Sequence, residues 1–357
     1  MNRAQLAQYA VARSLFKPRT LNAAIDALGY VQADPIRAPA RAQDLILRHR
    51  VAGYQCDELE KKYSRLDIFE DMLHNYGFFP NRHVSLLYPR KLSPRWQTFM
   101  AEHATLRRKV LGILNENESV HPRDVERAIS VGARTNGWGG ESAATTMMLE
   151  GLHREGRACV IRRDAGIRVY AQNAPSEAKS RTPMQRADGL IRLFVNLYAP
   201  IPQRTLTQLI NMIGGMKPDV DYAKRIELMV ARGEITRAEI DGFSYVWPAD
   251  ELTAGEENAS VRLLAPFDPI VWDRRRFEHL WGWAYRFEAY TPPVKRKLGY
   301  YALPLLWQSQ VIGWANAKID SGRLNIDFGF VGPRPKARAF RAALDEEVER
   351  FRGFLRC

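Results

Sequence analysis

Two polar side chains in the segment Tyr30-Val31-Gln32-Ala33-Asp34-Pro35-Ile36 are of types that could do chemistry together. A carboxylate such as Asp34 can stabilise positive charge building on a reacting carbon, and can take a proton from an incoming water. The Gln32 amide offers both a donor and an acceptor, enough to orient that water. By itself Gln-x-Asp is a weak signal. Asp34 would equally close the turn ahead of the next helix, and Gln32 would equally be a solvated strand residue.

The surrounding elements give the pair its weight. Residues 3–16 read as a first helix. In the second, Thr20 is the N-cap, Leu21, Ala24, Ile25 and Leu28 share one face, and Gly29 is the stop. A short extended piece follows, in which Pro35 biases Asp34 away from helical geometry. A third helix is expected after Pro39, to about Arg50. Three helices with short connections are what a helix-turn-helix unit requires.

An internal repeat lies further on. Residues 148–156 and 225–233 each read as an amphipathic helix ending at glycine, and each is followed by a hairpin, 157–170 and 234–247. Asp241-Gly242 is a strong hairpin-turn signal, and Asp164-Ala165-Gly166 is a longer version of it. Helical stretches at 104–116 and 122–130 precede the first copy, and 187–198 and 205–213 the second. Three helices and a hairpin make the winged-helix pattern, with the N-terminal helices as a third, less regular copy. Such units commonly lay a helix in a DNA groove, though they also serve as protein-interaction modules.

Composition changes near residue 251, where an acidic, turn-like stretch reads as a linker. After a basic, aromatic segment at 262–290, strand-like runs at 299–307, 310–319 and 323–330 predict an antiparallel sheet or small barrel. A final helix, about 335–355, carries Phe340, Ala343, Leu344, Val348 and Phe351 at helical spacing. The expected class is α+β: winged-helix units at 1–100, 101–180 and 181–250, then a β-barrel-like domain at 258–357.

The 357 residues carry 53 Lys plus Arg against 40 Asp plus Glu, a net charge of +13. That excess points to a polyanionic partner, most often nucleic acid. Cys56, Cys159 and Cys357 are too scattered for a disulfide framework or a metal site. No metal and no cofactor are expected. No apolar run approaches the roughly 18 residues of a membrane span. A monomeric, cytoplasmic, nucleoid-associated protein is expected.

The segment Leu264-Ala-Pro-Phe-Asp-Pro-Ile-Val-Trp-Asp-Arg-Arg-Arg276, with Tyr290-Thr-Pro-Pro-Val-Lys-Arg-Lys-Leu-Gly-Tyr-Tyr-Ala-Leu-Pro-Leu-Leu306, resembles the AlkZ/YcaQ family of bacterial DNA glycosylases. The likeness runs over essentially the whole chain. It implies three winged-helix units and a C-terminal barrel, and excision of N7-alkylated purines with unhooking of interstrand crosslinks. The family motif is Gln-x-Gln in one branch and Gln-x-Asp in the other; Gln32-Ala33-Asp34 implies the second. It makes Gln32 and Asp34 the catalytic pair and double-stranded DNA carrying alkylated or crosslinked bases the partner. Arg41 and Arg50 sit where the pattern has arginines, and His74 matches a family histidine. The family often has Glu after that histidine; this chain has Asn75. With Arg37 and the run Lys295-Arg296-Lys297, these are the expected DNA contacts. An N7-alkylated guanine is already cationic, so its departure needs no second acid of the kind that glycosidases carry. No positioned nucleophilic lysine is evident, so hydrolysis without strand cleavage is expected. The pair is expected to border an open cleft between winged-helix units. Asp268, Trp272, Asp273 and Arg274 read as structural, with Trp272 in a core and Asp268 or Asp273 paired to arginines. A winged-helix DNA-binding regulator without enzymatic activity is the competing reading, and an interaction module within a repair complex a third.

Overall fold

The computed structural model describes residues 1–129, 133–135, 141–173, 181–249, 251 and 259–356. The expected linker falls largely outside them. Local signals cap the helices near the N-terminus, the first of which ends two residues short of the expected 3–16. Asn2 and Gln5 form a capping box at the start of the helix Arg3–Ser14. Thr20 Oγ1 accepts the Ala23 N–H, and Gly29 ends the helix Leu21–Leu28 in the left-handed conformation, φ 72°. The third helix is shorter than expected, Ala42–Leu47, with a turn continuing to Arg50. Val31–Gln32 then joins a three-stranded antiparallel sheet with Tyr76–Pro80 in the middle and Ile68–Met72 at the far edge.

Both repeat copies are present. The helix Ala144–Glu155 ends at Gly156, φ 78°, and Ala158–Asp164 then pairs antiparallel with Ile167–Gln172. The helix Tyr222–Ala231 is followed by the hairpin Ile235–Ile240 and Phe243–Pro248. Asp241 and Gly242 both take positive φ, 48° and 79°, as this tight hairpin turn requires. The helices ahead of them are Ala104–Glu116 and Pro122–Ala128 in one copy, Pro183–Tyr198 and Gln203–Met212 in the other. A strand that the sequence did not announce, Ile201–Pro202, adds to the second hairpin.

The C-terminal segment forms an antiparallel sheet in the order Val261–Leu263, Leu303–Trp307, Gln310–Asp320, Arg323–Phe330. Among the described residues it does not close, so the expected barrel is corrected to an open sheet. The reason lies at its first edge. The Leu263 N–H donates to Glu347 Oε1 at 2.8 Å, and Arg350 donates to the Val261 carbonyl at 2.9 Å, both from the last helix, Arg338–Leu355. His49 Nε2 meets the Leu263 carbonyl at 2.9 Å. Side chains thus satisfy the edge groups that a closing strand would have used.

One continuous core joins the N-terminal part of the chain, read from the sequence as a first repeat, to the helix–hairpin copy at 183–248, the third in that reading, and to the C-terminal sheet, with Ile25, Val31, Phe78, Phe194, Leu206, Leu305 and Phe351 among its members. The middle repeat has its own, around Val110, Val125, Met148, Leu152 and Tyr170. Leu6, Tyr9 and Ala10 of the first helix pack with Tyr245, Trp247 and Leu280, so that helix belongs with the far end of the chain.

Three consecutive residues clasp the C-terminal segment to the first repeat. Arg48 pairs with Glu347 and lies over the Phe351 ring at 4.4 Å; His49 holds the sheet edge; Arg50 is fully buried against Asp268. Arg50, expected at DNA, is therefore corrected to a structural residue. Its five bonds, to Ser14 O (2.8 Å), Ser14 Oγ (3.0 Å), Ile46 O (2.8 Å) and both Asp268 oxygens (2.8 and 2.9 Å), use every N–H the guanidinium has. Asp268 is structural as read, and Asp273 caps the helix Arg274–Trp281 while accepting from Thr205 at 2.6 Å. Replacing Asp268 with alanine strands a buried cation. Stability should fall by about 3–5 kcal/mol, seen as a lower midpoint in urea unfolding; an unchanged midpoint contradicts this account.

Candidate active site

The pair Gln32 and Asp34 is held by close backbone packing. Val31 and Gln32 lie opposite Phe78 and Gly77, and the Ala33 N–H donates to the Tyr76 carbonyl at 2.9 Å. Gly77 makes this approach possible. A Cβ there would lie 2.3 Å from the Tyr30 ring and 2.5 Å from the Val31 carbonyl. Gln32 is buried, and its Oε1 accepts from Asn75 Nδ2 at 3.4 Å. Asn75 stands where the family pattern often has Glu, and here it supplies a donor that fixes the glutamine.

Asp34 lies just past the strand, half-buried. Its Oδ1 accepts the Ile36 N–H at 2.9 Å, and its own N–H donates to Oε1 of buried Gln43 at 3.3 Å. The turn-closing role that the sequence allowed is thus real and leaves the second carboxylate oxygen over. Burial raises the Asp34 pKa above its ordinary 3.8, and the Ile36 N–H pulls against it. No ion pair compensates the carboxylate among the described residues. Its charge instead reaches two tyrosines of the C-terminal segment. Burial first, then Asp34, raises Tyr301, and the same two causes raise Tyr290. The pair was expected to border an open cleft between winged-helix units; what the structure adds is the electrostatic reach of Asp34 to this C-terminal segment.

The remaining predicted residues divide by environment. Arg37 is half-exposed and pairs with Asp57 at 2.7 Å. Arg41 pairs with Glu60 and lies against the tip of the middle hairpin, where a Cβ on Gly166 would come within 2.9 Å of Nη2. Lys295 and Lys297 are exposed on the loop between Tyr290 and Tyr301, and Arg296 lies over the Tyr300 ring at 5.0 Å. His74 is corrected from a DNA contact to a buried junction. It bonds Tyr198 Oη at 2.9 Å and packs against Trp272 (ring centroids 4.8 Å apart) and Tyr30 (5.3 Å). Burial lowers its pKa to about 3, so it is neutral and carries no charge for a phosphate. Trp272 is half-buried in this junction, close to the core position expected.

Asp44, Cys56 and Asp57 bring ligand-type atoms within 4.8 Å of one another. Protein donors already occupy this cluster. Asp44 Oδ1 accepts from Tyr54 Oη at 2.7 Å and from the Asp57 N–H at 3.1 Å, and Asp57 holds Arg37. Burial, then Asp44 and Asp57, push the Cys56 thiol up to about 12. Gln43, Asn75, Tyr290 and Tyr301 are the site residues that sequence reasoning did not assign. No local signal points to Gln43 or the tyrosines, which reach the site through tertiary packing.

The whole architecture is that of a known DNA glycosylase. It is similar to the DNA glycosylase AlkZ of Streptomyces sahachiroi with a TM-score of 0.66, at 17% identity, covering 99% of this chain and 96% of that one. The family described as DNA glycosylase AlkZ-like matches residues 25–354. The chain belongs to that family. No helix among the described residues is long and apolar enough to cross a membrane.

Replacing His74 with phenylalanine should leave affinity for duplex DNA unchanged. It should cost about 1–3 kcal/mol of stability, because the buried Tyr198 hydroxyl loses its partner. Equilibrium unfolding and a binding titration check the two halves; weaker DNA binding at unchanged stability restores His74 as a contact.

Proposed function

We propose that this protein hydrolyses the N-glycosidic bond of N7-alkylated purines in duplex DNA and unhooks interstrand crosslinks of that chemistry. The supporting observation is the half-buried Asp34 carboxylate, without an ion-pair partner among the described residues, beside the Gln32 amide held by Asn75. In an N7-alkylated purine nucleotide the bond from C1′ to the base breaks with its electron pair moving to the base, which leaves neutral. Positive charge builds on the sugar, and Asp34 stabilises it electrostatically. A water held by Gln32 adds to C1′, and its proton passes to Asp34 or to solvent. No second acid is needed, since the leaving group arrives charged. The helix–hairpin repeats, read as winged helices, would set the chain on the duplex. Lys295 and Lys297 then contact phosphates, with Arg37 and Arg41 as further contacts that must first exchange their acidic partners.

Wild-type protein should release the base from DNA carrying N7-methylguanine, scored as alkali-labile sites, and Asp34→Asn should bind without release. Binding without release by both proteins alike would instead support a regulator. Reaction should stop at the abasic site, so a covalent adduct trapped by borohydride overturns the monofunctional mechanism.

The pH profile follows from the raised Asp34 pKa. The active form is the carboxylate, so release is lost as pH falls through that raised value. The acid limb should lie above the 3.8 of an ordinary aspartate. A limb at or below the ordinary value contradicts the assignment. Replacing Lys295 and Lys297 together with alanine should reduce the salt slope of log affinity by about 1.8, at about 0.9 per phosphate contact.

A further inference from the structure

The loop from Tyr290 to Tyr300 holds apolar side chains in water. Tyr290 is 81% exposed, Val294 93% and Tyr300 44%. The loop is nonetheless tightly built. The buried Glu288 carboxylate accepts the N–H groups of Lys297 (2.8 Å), Leu298 (2.7 Å) and Gly299 (3.3 Å) through one oxygen. Arg296 Nε donates to the Thr291 carbonyl at 2.8 Å. Beneath it, the Phe287 ring meets Tyr290 and Tyr301 edge-on, centroids 6.1 and 5.2 Å apart. Ordering exposed apolar groups in this way carries a cost that a partner would offset.

One observation says what kind of partner. Lys295, Arg296 and Lys297 lie on the same loop, so the surface that meets it is anionic. The Asp34 carboxylate acts through space on both tyrosines, so the loop stands on the catalytic side of the molecule. Phe287 and Tyr301 share one core with Ala33 and Ile36, the neighbours of Asp34 in the chain.

We propose that Tyr290 is the specificity residue for the damaged base, its ring face stacking on the positively charged alkylated purine beside Asp34. This rests on the glycosylase reading above. Aromatic faces carry negative potential, so they attract a cationic base more than a neutral one. Stacking on a nucleobase is also worth enough to shift affinity on the order of tenfold. The attraction is to the charged ground state. As the bond breaks, the charge leaves the base for the sugar, where Asp34 takes over. Tyr290 therefore strengthens capture of the lesion without speeding the bond-breaking step.

The test is single-turnover release of N7-methylguanine with enzyme in excess over duplex, for wild type, Tyr290→Phe and Tyr290→Ala. Tyr290 is so exposed that neither change disturbs the core. Tyr290→Ala should raise the half-saturating enzyme concentration about tenfold with no fall in the saturated rate, and Tyr290→Phe should stay within about twofold of wild type. Affinity for undamaged duplex should not change in either variant. The proposal is overturned if Tyr290→Ala saturates as wild type does, if Tyr290→Phe is as poor as Tyr290→Ala, if the saturated rate falls instead, or if undamaged DNA is lost equally. A wild-type protein that releases no base overturns the glycosylase reading, a result distinct from all of these.

Discussion

The buried ion pair between Arg50 and Asp268 is the constraint on which the assembly turns. A guanidinium and a carboxylate taken wholly out of water are tolerable when each hydrogen-bonding position finds a partner. Here it does: every Arg50 N–H is used, and Asp268 also accepts the Ile270 N–H at 3.1 Å to start the helix Pro269–Trp272. Satisfying that pair fixes the segment 264–276 against the end of the third helix. Arg48 and His49 extend the clasp to the last helix and the sheet edge. Arg276, also buried, donates to the carbonyls of Tyr198, Pro200, Pro269 and Ile270, tying the same segment to the third repeat. Arginine suits these sites because its planar donors reach several acceptors at once and its charge is not easily lost.

From this docking the site follows. The C-terminal segment, once clasped, brings Trp272 against His74 and sets Tyr290 and Tyr301 within electrostatic reach of Asp34. The Asp34 carboxylate belongs to the N-terminal part of the chain, and the tyrosines it acts on to a segment over 250 residues further along. Neither element makes a site by itself. The basic residues sort in the same way: the arginines at 48, 50 and 276 are spent inside, while Lys295 and Lys297 stay in water, where a phosphate can meet them.

Much of the fold was legible from local signals. Caps, glycine stops and the Asp241-Gly242 turn act over a few residues, so helices and hairpins fall where their spacing puts them. The Gln32–Asp34 pair drew its weight in the sequence from the helix before it, the proline after it and the resemblance of the distant C-terminal block. The barrel was not. Strand patterning gives the number of strands and their alternation, but closure depends on what covers an edge, and Glu347, Arg350 and His49 do so from distant positions.

Arg50 and His74 mark the boundary most clearly. As residue types they are those that hold DNA, and the sequence has no means of stating that one ends fully buried against Asp268 and the other against Trp272 and Tyr198. The sequence by itself determined the elements, the repeat and the chemistry that Gln32 and Asp34 offer, because these depend on neighbours within a few residues. The tertiary structure decided which charges are buried, that Gln43 and Asn75 steady the pair, and that Asp34 comes within electrostatic reach of tyrosines of the C-terminal segment. Those depend on burial and on contacts across the length of the chain, which residue type and spacing do not encode.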